Sequence, residues 1–98
     1  MKLFISQPMR DRSTEDIVAE RKALTQFSRN KLCDHELTVI DSLFDHNTAQ
    51  PPLHYLGEAI KLMADADAVV FAKGWHGYNG CVIEHECAVR YGKIIIYA

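Results

Sequence analysis

The sequence predicts an α/β domain in which helices cover both faces of a parallel sheet. Four short segments rich in apolar and β-branched residues alternate with three longer segments that have helical periodicity. This alternation is typical of a parallel sheet, because each strand needs a crossover that returns the chain to the same end of the sheet. Right-handed crossovers and a central first strand give an expected strand order of 2-1-3-4.

The composition limits the size, location and ligands of this domain. With 98 residues and 48% hydrophobic content the chain can build one core, so a single domain over residues 1–98 is predicted. A net charge of −2 argues against nucleic-acid binding and favours a small ligand. The 3 cysteines lack paired spacing, which favours reduced thiols in the cytoplasm. No apolar run suits a signal peptide or the roughly 20 residues of a membrane span, so no membrane contact is expected.

Clear boundary signals mark the first strand and the first helix. The apolar run Lys2 to Ile5 is followed by Ser6-Gln7-Pro8, and proline cannot continue the ladder of a central strand. A helix is predicted over residues 14–30, where apolar residues recur at helical spacing: Ile17, Leu24 and Phe27. Ser13 lies three residues before Asp16 and is expected to cap this helix.

The middle of the chain is predicted to form a strand, a loop and a helix. Leu37 to Leu43 is rich in β-branched and apolar residues, and Asp45 to Pro52 carries two prolines, which favour a loop. His46 and Asn47 in this loop are interpreted as ordinary loop residues rather than as a cover over a cleft. The next helix is predicted to end near Asp65, with apolar residues spaced for one face: Leu56, Ile60 and Met63.

The last third of the chain is predicted to be a strand, a glycine loop, a helix and a strand. Ala66 to Ala72 is nearly all apolar, as expected for a strand covered on both faces, and Gly74 to Asn79 is a loop. The helix Gly80 to Tyr91 ends before Gly92 and offers four residues to the core: Val82, Ile83, Cys87 and Val89. Lys93 to Tyr97 is the last strand.

The predicted topology nominates two loops as the ligand site. In open α/β sheets, ligands bind beyond the carboxyl ends of the strands where the winding reverses, here between the first and third strands. The loops that leave those ends are Ser6 to Arg12 and Gly74 to Gly80. Ser6 can donate to a ligand hydroxyl, and Arg10 can pair with a phosphate or carboxylate or be an ordinary surface residue.

Glu84 is the acidic residue nearest to the glycine loop. If the helix begins near Gly80, the free amides of residues 80–83 face the cleft, and the helix dipole favours an ionised Glu84. An ionised carboxylate beside a sugar can attack the anomeric carbon or stabilise the cationic transition state of glycosidic cleavage. The alternative is a solvated glutamate in the first turn of a helix.

The aromatic residues of this segment have two interpretations. Trp75 and Tyr78 flank His76 and can stack on a flat base; alternatively, Trp75 covers the core and Tyr78 lies at a subunit contact. His85 and Glu86 are followed by Val89 rather than by a second histidine, so the H-E-x-x-H zinc pattern is absent and no metal is expected.

Three segments of the chain resemble one known family. They are the opening K-L-F-I-S-Q-P-M, the A-D-A-V-V-F strand, and G-W-x-x-x-x-G-C-x-x-E-H-E-x-A followed by Y-G-K-I-I-I-Y. These motifs look like those of the small DUF4406 proteins, which are similar to nucleoside 2-deoxyribosyltransferases and deoxynucleotide N-glycosidases. The resemblance covers nearly the whole chain, and its most specific part runs from Gly74 to Ala88.

The resemblance implies a flavodoxin-like, Rossmann-like fold with helices in layers on both sides of the sheet, and a pocket for a nucleoside or nucleotide. The residue that matches the family's nucleophile is Glu84. The residues that match the pocket-lining loop of the family are Ser6, Gln7, Pro8 and Met9. From the glycine loop itself, we further expect Trp75 and Tyr78 to frame the base and the backbone from Gly74 to Gly80 to receive the sugar or phosphate side. A homo-oligomer is implied, and no cofactor or metal is.

Two departures from the family leave two functions open. The aspartate that the enzymes carry on the second helix corresponds to Ala59, and the serine often found in the glycine loop is replaced by Tyr78. The first function is an enzyme that cleaves or transfers at the N-glycosidic bond of a deoxynucleoside or deoxynucleotide. The alternative is a protein that binds a nucleotide without turnover, which the absence of the aspartate favours.

Overall fold

The computed structural model of the protein describes residues 1–43 and 50–98 and contains the elements in the predicted order. Their bounds are β1 Lys2–Ser6, α1 Thr14–Leu32, β2 Thr38–Val39, α2 Pro52–Met63, β3 Ala68–Phe71, α3 Asn79–Arg90 and β4 Ile94–Tyr97, with a 3₁₀ turn at Trp75–Gly77. All strand pairs are parallel, and the order is β2-β1-β3-β4. The predicted α/β class and strand order are therefore confirmed, and the fold is consistent with a flavodoxin-like arrangement.

The register of the two central strands aligns their carboxyl ends. Leu3 pairs with Ala68, and Ser6 pairs with Phe71. The Ala72 amide continues this ladder by donating to the Ser6 carbonyl at 3.0 Å. The loops after β1 and β3 consequently leave the sheet side by side.

Alternate residues of the strands build a core on each face of the sheet. The core beneath α1 contains Leu3, Ile5, Leu24, Leu37, Ala68, Val70, Ala72 and Ile96. The core beneath α2 and α3 contains Phe4, Ala59, Met63, Ala66, Val69, Phe71 and Ala88. Because one helix covers the first face and two cover the second, the molecule has three layers.

The first helix begins at the predicted cap and buries a polar stripe beside its apolar one. The Ser13 hydroxyl accepts from the Asp16 amide at 3.1 Å. Phe27 is exposed rather than part of the core, because the helix turns Arg21 and Ser28 toward the sheet instead. The helix ends at Leu32, two residues beyond the predicted end.

The second strand is shorter than predicted, with residues 38–39 in place of 37–43. It is an edge strand, so only β1 offers it hydrogen-bond partners. The Ile40 amide still donates to Leu3, but at Leu43 the amide turns to the Asp41 carboxylate of its own segment. Most of the loop predicted from Asp45, with His46 and Asn47, lies outside the described residues.

The prediction of which apolar residues bury α3 in the core is wrong at three of the four positions. Val82, Ile83 and Val89 are all exposed, and Cys87 is half-buried against the core beneath α2 and α3. The residues that face inward are Cys81, Glu84 and Ala88. The small side chains of Cys81 and Ala88 let the helix lie close to the sheet, which leaves the larger β-branched residues on the outside.

The second helix follows its prediction more closely. It begins at Pro52 and ends at Met63, and it presents Ala59 and Met63 to the core while Leu56 and Ile60 are half-buried. In residues 1–43 and 50–98, no helix has both the length and the apolar content needed to cross a bilayer.

Candidate functional site

A buried hydrogen bond joins the end of β1 to α3, the helix that follows the second of the two loops that the topology nominates. Ser6, the last residue of β1, donates from its hydroxyl to Oε1 of Glu84 on α3 at 2.8 Å. The exposed fractions are 1% for Ser6 and 8% for Glu84, so the pair is shielded from solvent. Glu84 is therefore a buried carboxylate at the junction of β1 and β3, and not a solvated glutamate.

Burial gives Glu84 an unusual protonation equilibrium. Desolvation raises the pKa of its carboxyl group from 4.5 to about 7, and the Ser6 hydrogen bond opposes part of this rise. The sequence had led us to expect that the helix dipole favours the ionised form. That expectation fails because Glu84 lies in the second turn of α3, past the range of the dipole, and is only 8% exposed, so that desolvation dominates. Both protonation states are populated near pH 7.

Cys81 lies one turn before Glu84 and shares Ser6 with it. Burial raises the pKa of the Cys81 thiol to about 11, while a hydrogen bond with Ser6 lowers it and the charge of Glu84 raises it further. A thiol with this pKa is neutral at physiological pH and is a poor nucleophile. Sequence reasoning missed this placement, although the spacing of three residues from Glu84 was a signal for a shared helix face.

Gln7 is held by α1 instead of facing open space. Its Nε2 donates to the Glu20 carboxylate at 2.8 Å and to the Ile17 carbonyl at 3.3 Å. Its Oε1 accepts from Arg21 at 3.0 Å. Both ends of the predicted ligand-binding amide are therefore occupied within the protein.

Glu20 closes the loop that follows β1. Arg12 donates from Nη1 to Glu20 at 2.7 Å and to the Pro8 carbonyl at 2.9 Å. The pKa of Arg12 is raised, mainly by the Glu20 hydrogen bond and to a lesser degree by Tyr78. In the sequence, Glu20 interrupts the helical spacing of the apolar residues of α1. That interruption was the sequence signal that an acidic side chain faces inward.

The other residues of the β1 loop become more exposed with distance from the strand. Pro8 is buried, Met9 is half-buried and Arg10 is exposed. Asp11 adopts a left-handed φ of 59°, which lets the loop turn back toward α1. Among the predicted ligand-binding residues of this loop, Met9 is thus the one whose side chain is partly open to solvent.

Gly74 makes the turn that starts the second loop. Its φ of 80° is in the left-handed region, where a residue with a side chain is strained. Gly77 and Gly80 do not have positive φ values, and Tyr78 is the N-cap of α3. The Val82 amide already donates to the Tyr78 carbonyl at 3.0 Å, so the free amides are those of residues 79–81 and not 80–83.

Trp75 belongs to an aromatic cluster at the carboxyl end of β4. Its ring stacks on His85 with a centroid distance of 4.2 Å and contacts Phe71 at 5.3 Å. His85 Nε2 and the Tyr97 hydroxyl share a hydrogen bond of 2.6 Å. This arrangement favours the interpretation in which Trp75 covers the core, since its ring contacts are on the β4 side of α3.

Two further features are relevant to binding, a groove on α1 and the distribution of metal-ligating side chains. A groove of about 310 Å³ runs along α1, and neither Ser6 nor Glu84 lines it. In the described ranges, no three His, Cys, Asp or Glu side chains are grouped as a metal site requires.

Comparisons with protein-family models, with curated proteins and with solved structures give no match. A functional assignment therefore depends on the geometry around Glu84.

Proposed function

We propose that this protein cleaves or transfers at the N-glycosidic bond of a deoxynucleoside or deoxynucleotide, with Glu84 as the nucleophile. The observation that carries the proposal is the buried Ser6–Glu84 hydrogen bond at the point where the sheet reverses its winding. A desolvated carboxylate with one polar partner is costly to bury, and such groups are concentrated at functional sites.

The hydrogen bond leaves one carboxylate oxygen for chemistry. Ser6 holds Oε1, and Oε2 of Glu84 accepts no hydrogen bond from the residues the structure describes. We propose that the ionised Oε2 attacks C1′ of the deoxyribose while the C1′–N bond breaks and the base leaves with its electron pair and takes a proton from solvent. Water or a second base then attacks C1′, gives up its proton to solvent, and releases Glu84 with its original charge.

The remaining ligand contacts are assigned to the residues around the mouth of this site. Met9 in the β1 loop and Tyr78 at the start of α3 are both half-buried, and we propose that they frame the base. The amides of residues 79–81, with Gly80 among them, would receive the sugar or phosphate side. Gln7 and Trp75, whose partners lie within the protein, support the loops in this proposal and do not contact the ligand.

A homo-oligomer is part of the same proposal. Val82, Ile83 and Val89 are exposed on the outside of α3, on either side of the Glu86–Arg90 ion pair, with exposed fractions between 42% and 51%. Exposed apolar residues grouped in this way favour contact with a second copy of the chain. We place the protein in the reducing cytoplasm, which suits its three free thiols.

The direct test is release of free base. The protein is incubated with deoxynucleosides and with their 5′-monophosphates, and free base is followed by chromatography. We expect base release by the unaltered chain and none by Glu84→Gln. The matched control is Glu86→Gln, since Glu86 is an exposed neighbour that pairs with Arg90 on the surface. Unchanged substrate across the panel, or equal activity in Glu84→Gln, would contradict the proposal.

A second candidate function is nucleotide binding without turnover. It is favoured by Ala59, a buried apolar residue at the position where the resembling enzymes carry an aspartate. This function predicts that a deoxynucleotide raises the melting temperature while no base is released. Base release that depends on Glu84 would exclude it.

A further inference from the structure

A groove on the opposite face of the sheet from α3 has features of a second binding site. Its volume is about 310 Å³, and it lies between α1 and the edge strand β2. Four apolar residues form part of its wall: Ile5, Val18, Val39 and Leu43. From Val18 to Arg29 it follows α1 for roughly 16 Å. We call this feature the α1 groove.

The charged residues of the α1 groove all have the same sign. Arg21, Lys22 and Arg29 line it, and no acidic residue does. Within the described part of the chain, none of these three side chains forms an ion pair with a carboxylate. Asp41 lies close enough to favour the charged form of Arg21, whereas Lys22 and Arg29 are left without a carboxylate partner among these residues.

One of these cations is buried and a second is half-buried. Arg21 is 8% exposed, and its guanidinium donates to uncharged oxygens of Gln7, Ile40 and Ser42. Arg29 is half-buried, with its Nε enclosed by the protein and the end of its guanidinium unbonded in the residues described. That end is the part of Arg29 that an anion in the groove can reach, as a charge-assisted hydrogen-bond donor.

We infer that the α1 groove binds a small organic anion with an apolar body, of the alkyl carboxylate class. The carboxylate would accept from the end of the Arg29 guanidinium and neutralise part of the charge of Arg29 and Lys22, while the chain lies against Val18, Val39 and Leu43. Charge and shape favour this class over an inorganic anion, which would leave the apolar wall in water, and over a neutral lipid, which would leave the cations unpaired. The inference does not depend on the function proposed for Glu84.

The test compares three probes that separate charge from chain. Octanoate is titrated into the full chain by calorimetry, with octanol as the neutral analogue of the same length and acetate as the anion without a chain. We expect octanoate to bind about tenfold more tightly than octanol, because a hydrogen bond to a charged group is worth that ratio or more. We expect a similar advantage over acetate, because acetate lacks the alkyl chain that would cover the apolar wall. Backbone amide shifts are expected to change between Val18 and Arg29.

Variants on α1 locate the site. Arg29→Gln and Lys22→Gln are expected to weaken octanoate binding by about tenfold and about threefold respectively. Lys22 is exposed, so its variant tests the groove without disturbing a buried group. Lys31→Gln on the same helix removes the same charge outside the groove and is expected to leave binding unchanged. Equal affinity for octanol and octanoate, or equal binding in all three variants, would overturn the inference.

Discussion

Glu84 is an acidic residue whose surroundings favour its neutral form, and this is the main physical fact of the molecule at the scale of single residues. Its position at the cleft was predicted from the order of the elements, but its burial was not. Burial depends on how far α3 tilts toward the sheet, which no local pattern encodes. For the same reason the partners of Gln7 could not be foreseen, since Glu20 and Arg21 reach it only after α1 has docked.

The protonation of Glu84 predicts how stability depends on pH. Its pKa is 4.5 in an exposed chain and about 7 when folded, so the folded state binds the proton more tightly. The resulting stability is fully present below pH 4.5 and is lost as the pH rises through about 7, by about 3 kcal/mol in all. Glu84→Gln, which does not titrate, is expected to remove this slope from urea unfolding measured between pH 4 and 8. A parallel slope in the variant would contradict the prediction.

Ser6 is expected to tune the same equilibrium. Its hydrogen bond lowers the pKa of Glu84, so Ser6→Ala should raise that pKa further and move any Glu84-dependent activity to higher pH. The loss of a buried hydrogen bond is expected to cost about 1 kcal/mol of stability. Carbon-detected NMR titration of the Glu84 carboxyl group measures the shift directly.

The matched control for this variant is Ser28→Ala. Ser28 is also fully buried, and its hydroxyl donates to the Leu24 carbonyl at 2.8 Å on the other face of the sheet. It should lose similar stability without any change in the titration of Glu84. A Glu84 pKa that is the same in both variants would show that Ser6 has no special influence.

At the scale of elements, α3 shows where sequence patterns are ambiguous. Val82, Ile83 and Val89 are more hydrophobic than Cys81, Glu84 and Ala88, yet both sets fit one face of a helix. A pattern of hydrophobicity selects the first set, whereas the close approach of the helix to the sheet requires the second. The length and order of α1 and α2 were predicted well. The Ser13 cap of α1, the prolines at the start of α2 and the helical spacing of apolar residues all indicate these two segments.

Close packing of α3 predicts a contrast between adjacent residues. Ala88 is 0% exposed and Val89 is 51% exposed. Ala88→Leu is expected to lower the free energy of unfolding by about 1–3 kcal/mol through overpacking, whereas Val89→Leu should have little effect. Thermal unfolding of both variants measures the difference. Equal stability of the two would mean that α3 does not rest on the sheet at Ala88.

The loop after β1 is a second element with a specific anchor. Glu20 binds both Gln7 and Arg12, so Glu20→Ala should release the loop and increase hydrogen exchange of the amides of residues 7–12. Glu58→Ala serves as the control, because it breaks the exposed pair with Lys61 and no loop contact. Similar exchange in the two variants would argue against an anchoring role for Glu20.

At the scale of the whole molecule, the strand order was predictable because right-handed crossovers leave few arrangements of four parallel strands. The extent of β2 was not, because pairing at a sheet edge ends wherever turn-forming side chains such as Asp41 compete for the amides. The candidate site was located by topology, since the carboxyl ends of β1 and β3 meet in any sheet with this order. Its chemistry required the contacts of folded side chains.

The exposed apolar surface of α3 provides a test of the proposed homo-oligomer. If copies associate through it, Ile83→Glu should shift the protein toward a smaller species in sedimentation velocity. Gln26→Glu adds the same charge at an exposed position on α1 and should leave the sedimentation coefficient unchanged. An unchanged coefficient in both variants would exclude α3 as the contact.

The position of Ser6 within the ladder of the two central strands also affects the entropy of ligand binding. Its backbone is fixed by pairing with Phe71 and by the Ala72 amide, and its hydroxyl in turn fixes the Glu84 carboxylate. The rotamer freedom of that carboxylate is therefore lost when the chain folds and not when a ligand arrives. A ligand that reaches Oε2 meets a preorganised dipole whose orientation is already set, so little of its binding energy is spent on ordering the site.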